Sequence, residues 1–306
     1  MNSVDRLFAE GLVILDGGTG TELERRGVPM DPQAWCGRAA LGHADVLTAI
    51  HRDYIDAGAR IITANTYASS RLMLEAAGAA DDFREINRTA VAAAKRARRE
   101  SGRDDVLVAG SLSHMCPMQG GTADPDLTRE PPAEDMAAAF AELATLLRDE
   151  GCDLILLEMM YYPQRIPHAL AAATATGLPV WAGFSARRGR NGEVLSFAPE
   201  RDIPFAELTA LLDGHNVAAA GVMHTPSDVV ADALDVLAQD FDGPLYAYPD
   251  SGYFRMPSWQ FVDIIPPAAF LDFAREWRSA GVAAIGGCCG LSPEHIAVLR
   301  ELEPNG

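Results

Sequence analysis

Three side chains in the second half of this chain have the chemistry of metal ligands. They are His224, in the segment "GVMHTP", and the adjacent Cys288 and Cys289, in "AAIGGCCGLSPEHI". One imidazole nitrogen and two thiolates suit zinc, and three protein donors leave a fourth position open for substrate, the arrangement of a catalytic zinc. Neighbouring residues of a regular strand point to opposite faces. Both cysteines therefore reach one site only where the backbone leaves the strand, and Gly286, Gly287 and Gly290 permit that departure. Plainer readings stand beside this one. A single histidine at a strand end is more often a hydrogen-bonded structural residue, and free cysteine behaves as a buried small hydrophobe. His114 and Cys116 compete with the three as metal donors.

Two carboxylates add a second kind of chemistry. Asp16 closes the apolar run "LVILD" and Glu158 closes "DLILLE". A facing pair of this kind works as general acid and base, or binds a substrate ammonium. Tyr67, Tyr161 and Tyr253 follow the ends of apolar runs, where a ring face attracts a cation by roughly 0.5–2 kcal/mol. Trp181 and Phe184 lie within such a run and read as core.

The elements that must position these groups repeat along the chain. Short β-rich apolar runs stand at 12–16, 60–64, 106–110, 153–158, 179–185, 217–223, 244–249 and 281–287. Continuous apolar runs indicate parallel strands buried on both faces. The segments between them show helical periodicity: Met136, Phe140, Leu143 and Leu147 mark one helix before Gly151, and Phe270, Phe273 and Trp277 another before Gly281. Eight strands alternating with helices over 306 residues predict an α/β fold, a (β/α)₈ TIM barrel in a single domain, 1–306. No G-x-G-x-x-G opens the first helix, which counts against a doubly wound sheet.

In such barrels chemistry gathers where strands end. Those positions hold Asp16, Asn65, Ser111, Glu158, Ser185, His224, Asp250 and the Cys288–Cys289 pair. The sixth and eighth strands alternate around the barrel, so His224 and the cysteines share a layer. The irregular stretch 113–135, after the third strand, is a candidate lid.

Bulk composition narrows the partners. A formal charge of −18 excludes a basic nucleic-acid-binding surface. No apolar run approaches the roughly 18 residues of a membrane helix. Five cysteines, an odd number, read as reduced thiols in a cytoplasmic protein. Small-molecule substrates are expected, and the oligomeric state stays open, a homo-oligomer included.

The segments "ILDGGTGTELERRG", "GARIITANTYASS", "DLILLEMM", "YPDSGYF" and "GGCCGLSPEHI" resemble, in order, those of the zinc-dependent homocysteine S-methyltransferase family. The resemblance runs from the first strand to the last. It implies a barrel whose zinc binds the thiolate of homocysteine, with Cys288 and Cys289 as ligands. It further implies Glu158 on the homocysteine amino group, Asp16 near the same substrate, and Thr19 and Asn65 as polar neighbours. Two positions depart from the family pattern: His224 stands where the family's third ligand is a cysteine, and Asp250 where it has asparagine. The expected cofactor is Zn²⁺ alone. The expected reaction is methyl transfer from a sulfonium or quaternary ammonium donor to homocysteine, S-methylmethionine leading, to give methionine. A related methyltransferase with another donor or acceptor, a zinc hydrolase using Glu158 or Asp16 as base, and a non-catalytic zinc- or thiol-binding protein are the alternatives.

Overall fold

The apolar runs form β1 (Val13–Ile14), β2 (Ile61–Ala64), β3 (Leu107–Ser113), β4 (Leu154–Met160), β5 (Val180–Phe184), β6 (Ala219–Pro226), β7 (Leu245–Asp250) and β8 (Ala284–Ile285). From β2 to β8 each pairs in parallel with the next, and β8 pairs in parallel with β1. A bridge between Leu15 and Ile61 closes the ring, with the Asp16 N–H donating to the Ile61 carbonyl at 3.0 Å. This is a (β/α)₈ barrel. The computed structural model describes residues 3–122 and 124–303; residues 1, 2, 123 and 304–306 of the expected domain lie outside the described residues.

Helix Ala133–Asp149 buries Met136, Phe140, Leu143 and Leu147, and helix Pro267–Ser279 buries Phe270 and Trp277. The chain reverses after each at a glycine with positive φ, Gly151 at +80° and Gly281 at +93°. Phe8, from helix Ser3–Glu10, stacks on Trp181 at 5.2 Å, and Trp181 meets Tyr246 at 5.3 Å, so Trp181 is core as expected. Among the described residues no helix is long and apolar enough to cross a membrane.

The strands differ from expectation at their ends. β4 and β6 run past Glu158 and His224, and both carry a register shift there, between Leu157 and Met160 and between Met223 and Pro226. Met159 and His224 take positive φ, +55° and +45°, which side-chain-bearing residues seldom adopt. Such bulges re-aim side chains and concentrate beside active sites. β8 is shorter than expected because the backbone leaves the strand at Gly286. From there the Gly286, Gly287 and Cys288 amides donate to the Ala247, Asp16 and Pro249 carbonyls at 3.0, 3.0 and 2.6 Å.

Two antiparallel hairpins were not anticipated, Ala186–Arg188 with Val194–Ser196 and Tyr253–Arg255 with Ser258–Gln260. The first turns near Asn191-Gly192, a dipeptide that favours hairpin turns and was a usable signal.

Candidate active site

The break in β8 puts both cysteine side chains on one site. Cys288 Sγ lies 3.9 Å from Cys289 Sγ and 3.7 Å from His224 Nδ1, and the three donor atoms fall within 4.8 Å of one another. Tetrahedral coordination at ~2.3 Å for Zn–S and ~2.0 Å for Zn–N spaces ligands about 3.8 Å (S···S) and about 3.5 Å (S···N) apart. The observed spacing fits. Two glycines allow the approach. A Cβ on Gly18 would come within 2.7 Å of the Cys288 carbonyl oxygen, and Gly290, at φ +81°, turns the chain where a side chain would meet the Ser251 carbonyl.

The electrostatics favour a cation between these donors. Cys289 and burial hold the Cys288 thiol well above its ordinary range. Cys289 is also raised: the hydrogen bond from Cys288 is outweighed by burial and the Asp250 and Glu158 carboxylates. Two adjacent buried thiols ionise together only with a counter-charge, which a divalent metal supplies. Burial pulls His224 down, yet Asp250, with Oδ2 3.5 Å from Nδ1, and Cys288 push it up to about 9.

The donors open onto a cavity of about 360 Å³ at the C-terminal ends of the strands. Glu158, Asp250, Thr19, Asn65, Tyr67 and Tyr161 all line it. Burial is the main force pushing Glu158 up to about 7; Asp16 adds to it, while Ser111 and His224 work the other way. Thr19 Oγ1 is buried without a hydrogen-bond partner. Asn65 spends its amide N–H on the Cys36 carbonyl at 2.9 Å.

Two expected site residues do not reach the cavity wall. Asp16 is fully buried and accepts hydrogen bonds from the Thr63 N–H (2.6 Å), the Thr63 hydroxyl (3.1 Å) and the Tyr248 hydroxyl (2.7 Å). Both its oxygens are engaged, so it braces the wall instead of touching a ligand there. Burial raises it to about 6 against those three bonds. Asparagine at position 16 would turn one acceptor oxygen into a donor facing donors. Asp16→Asn is therefore expected to cost about 1–3 kcal/mol, read as an earlier urea midpoint with unchanged slope. Ser111 is likewise buried, behind Glu158, and its hydroxyl has no partner in hydrogen-bonding geometry.

The competing metal donors fall away. His114 Nε2 accepts from the Tyr161 and Tyr162 amides at 2.9 and 3.2 Å, a structural task, and burial holds the ring well below its ordinary pKa. Cys116 lines the cavity but does not join the metal-ligating cluster.

Much of the cavity wall was not anticipated from the sequence. Phe197 and Trp259 flank the His224 ring at 5.1 and 5.6 Å, and Trp35 meets Tyr67 at 6.1 Å and Phe254 at 5.5 Å. Met159 accepts from the Tyr67 hydroxyl at 2.9 Å. Glu24 ties the rim together, accepting from Trp35 Nε1 at 2.6 Å and from the Trp259 N–H at 3.0 Å. The 113–135 stretch supplies Met115, Cys116, Met118 and Pro125 to the wall. It is laced to the second hairpin, with the Gly121 N–H donating to Met256 and the Met256 N–H to Thr122 at 3.0 and 2.8 Å.

Comparison with known proteins shows the family. The family model described as homocysteine S-methyltransferase matches residues 13–302. The chain belongs to the homocysteine S-methyltransferase family. Among relatives, homocysteine S-methyltransferase 4 of Zea mays is 28% identical, over 95% of this chain and 89% of that one. Selenocysteine Se-methyltransferase of Brassica oleracea var. italica is 26% identical, over 95% and 88%. Betaine–homocysteine S-methyltransferase 1 of Danio rerio is 27% identical, over 97% and 74%. The metallated form of the homocysteine methyltransferase MmuM from Escherichia coli superimposes with a TM-score of 0.77 at 25% identity, covering 98% of this chain and 100% of that one. The protein is accordingly a methyltransferase of the homocysteine S-methyltransferase type. That favours methyl transfer over the hydrolase and non-catalytic readings. His224 and Asp250, the two positions at which the sequence resemblance is expected to break, lie 3.5 Å apart, Nδ1 to Oδ2.

Proposed function

We propose that the protein transfers a methyl group from S-methylmethionine to the thiol of homocysteine, forming methionine, with zinc held by His224, Cys288 and Cys289. The observation that carries this reading is the convergence of those three donors within 4.8 Å of one another, with Cys288 at tetrahedral edge lengths from the other two, on the wall of an aromatic cavity. Zinc there supplies the charge that keeps a bound thiol ionised at neutral pH, where a free thiol of pKa ~8.5 is mostly protonated.

The remaining tasks belong to the chain itself. The Glu158 carboxylate pairs with the homocysteine ammonium, and the unpartnered Thr19 hydroxyl is available to its carboxylate. Tyr67, Tyr161, Phe197 and Trp259 offer ring faces to a cationic donor. The homocysteine thiolate attacks the donor methyl carbon. A new S–C bond forms as the donor's S–C bond breaks, and the departing electron pair neutralises the sulfonium. No proton moves in that step, so the protein's contribution is alignment and the exclusion of water.

The wall's charge supports a donor with net positive charge. The lining includes Glu158 and Asp250 but, among the described residues, no lysine or arginine. S-methylmethionine carries a net positive charge and betaine is net neutral, so a wall with carboxylates and no cationic side chain favours the former. The test is incubation of zinc-loaded protein with homocysteine and either donor. Methionine should form from S-methylmethionine, far more slowly from betaine, with close to one zinc per chain. A zinc-loaded protein inert with sulfonium and betaine donors alike rejects the assignment.

A further inference from the structure

We propose that the Asp250 carboxylate acts on the metal site through its charge, restoring beside the His224 donor nitrogen the negative charge that histidine, in place of a thiolate, removes from the site. The inference rests on His224, Cys288 and Cys289 being the zinc donors.

The geometry comes from the two bulged strand ends. Asp250 is the last residue of β7 and pairs with Pro226 across the register shift of β6. The same irregularity holds His224 at φ +45° and turns its ring toward the cysteines. Asp250 Oδ2 thus lies 3.5 Å from His224 Nδ1, with the two side chains 10% and 6% exposed. Among the described residues His224 is the only basic group within ion-pair distance of the Asp250 carboxylate. A buried carboxylate needs such a partner.

Charge gives the pair its purpose. Two thiolates and a neutral imidazole cancel a dication, which leaves a thiol substrate poorer in electron density than at a three-thiolate site. Asp250 returns one negative charge beside the imidazole. The contact is with Nδ1, the nitrogen that also faces Cys288, so the carboxylate acts on the site as a charge and not as an acceptor for the far ring N–H. Both positions depart from the family resemblance, and although 26 numbers apart in sequence they meet in space. A carboxylate beside a third thiolate would repel it, so each departure makes sense with the other.

The test is a double-mutant cycle on zinc affinity, measured with the full chain by competition with a chromophoric chelator. The proteins are the wild type, D250N, H224C and H224C/D250N, with unfolding of each metal-free chain as a folding control. D250N removes a negative charge close to a dication, so it should weaken zinc about tenfold or more in the His224 background and shift the absorption bands of the cobalt-substituted protein. In the H224C background the same change should leave affinity unchanged or raise it. Equal losses in both backgrounds, or none in the first, overturn the proposal. Asp250→Glu, which keeps the charge, should retain most of the affinity; where D250N does not fold, an Asp250→Glu chain that folds but binds zinc 100-fold more weakly overturns it instead. A folded wild type that binds no zinc defeats the metal reading itself, whereas a zinc-binding wild type indifferent to D250N defeats only the role of Asp250.

Discussion

A Cys288→Ala protein is expected to purify almost free of zinc and to form methionine about a thousandfold more slowly than the wild type, since a metal's charge stabilisation amounts to several kcal/mol and each ~1.4 kcal/mol is a factor of ten. Cys288 is the central donor, 3.7 Å from His224 and 3.9 Å from Cys289. Its loss leaves two protein donors, Cys289 and His224, too few for a tetrahedral catalytic zinc. The same substitution should abolish the fall in melting temperature that a chelator causes in the wild type, because a metal bound only by the folded state stabilises it by mass action. Metal analysis and melting with and without chelator check both points. Stoichiometric zinc in Cys288→Ala would place the metal elsewhere.

Glu158→Gln is the second change with a large expected effect, and it falls on homocysteine binding. Removing a charged hydrogen bond to the substrate ammonium costs about 1.5–3 kcal/mol, so KM for homocysteine should rise about ten- to a hundredfold, with the donor's KM little altered. Glu158 also sets a pH dependence. Burial first, with help from Asp16, pushes its pKa up to about 7. Only the ionised carboxylate attracts the ammonium, so kcat/KM for homocysteine should fall as pH drops through about 7. Glutamine does not titrate, and that limb should vanish in the variant. An unchanged acid limb in Glu158→Gln would assign it to another group.

The two carboxylates were indistinguishable before folding. Asp16 and Glu158 each close an apolar run, and nothing local separates a carboxylate that binds substrate from one that braces a wall. The barrel separates them through partners far away in sequence: Thr63 and Tyr248 occupy both oxygens of Asp16, while Glu158 keeps its face to the cavity. The aromatic wall was hidden for a related reason. Phe197, Phe254 and Trp259 come from or beside hairpins inserted after β5 and β7, and only the closed ring brings Phe197 and Trp259 against His224, with Phe254 against Trp259.

Read alone, the residues determined the parallel barrel, because burial on both faces writes itself as contiguous apolar runs whatever the distant contacts. They also determined which groups gather at one end, because every βα turn of such a barrel opens on the same face. Tertiary structure alone decided which way those groups point. That depends on bulges at Met159 and His224, on the departure of the backbone at Gly286, and on the meeting of His224 with Asp250. Each is set by pairing between strands remote in sequence, which local pattern does not encode.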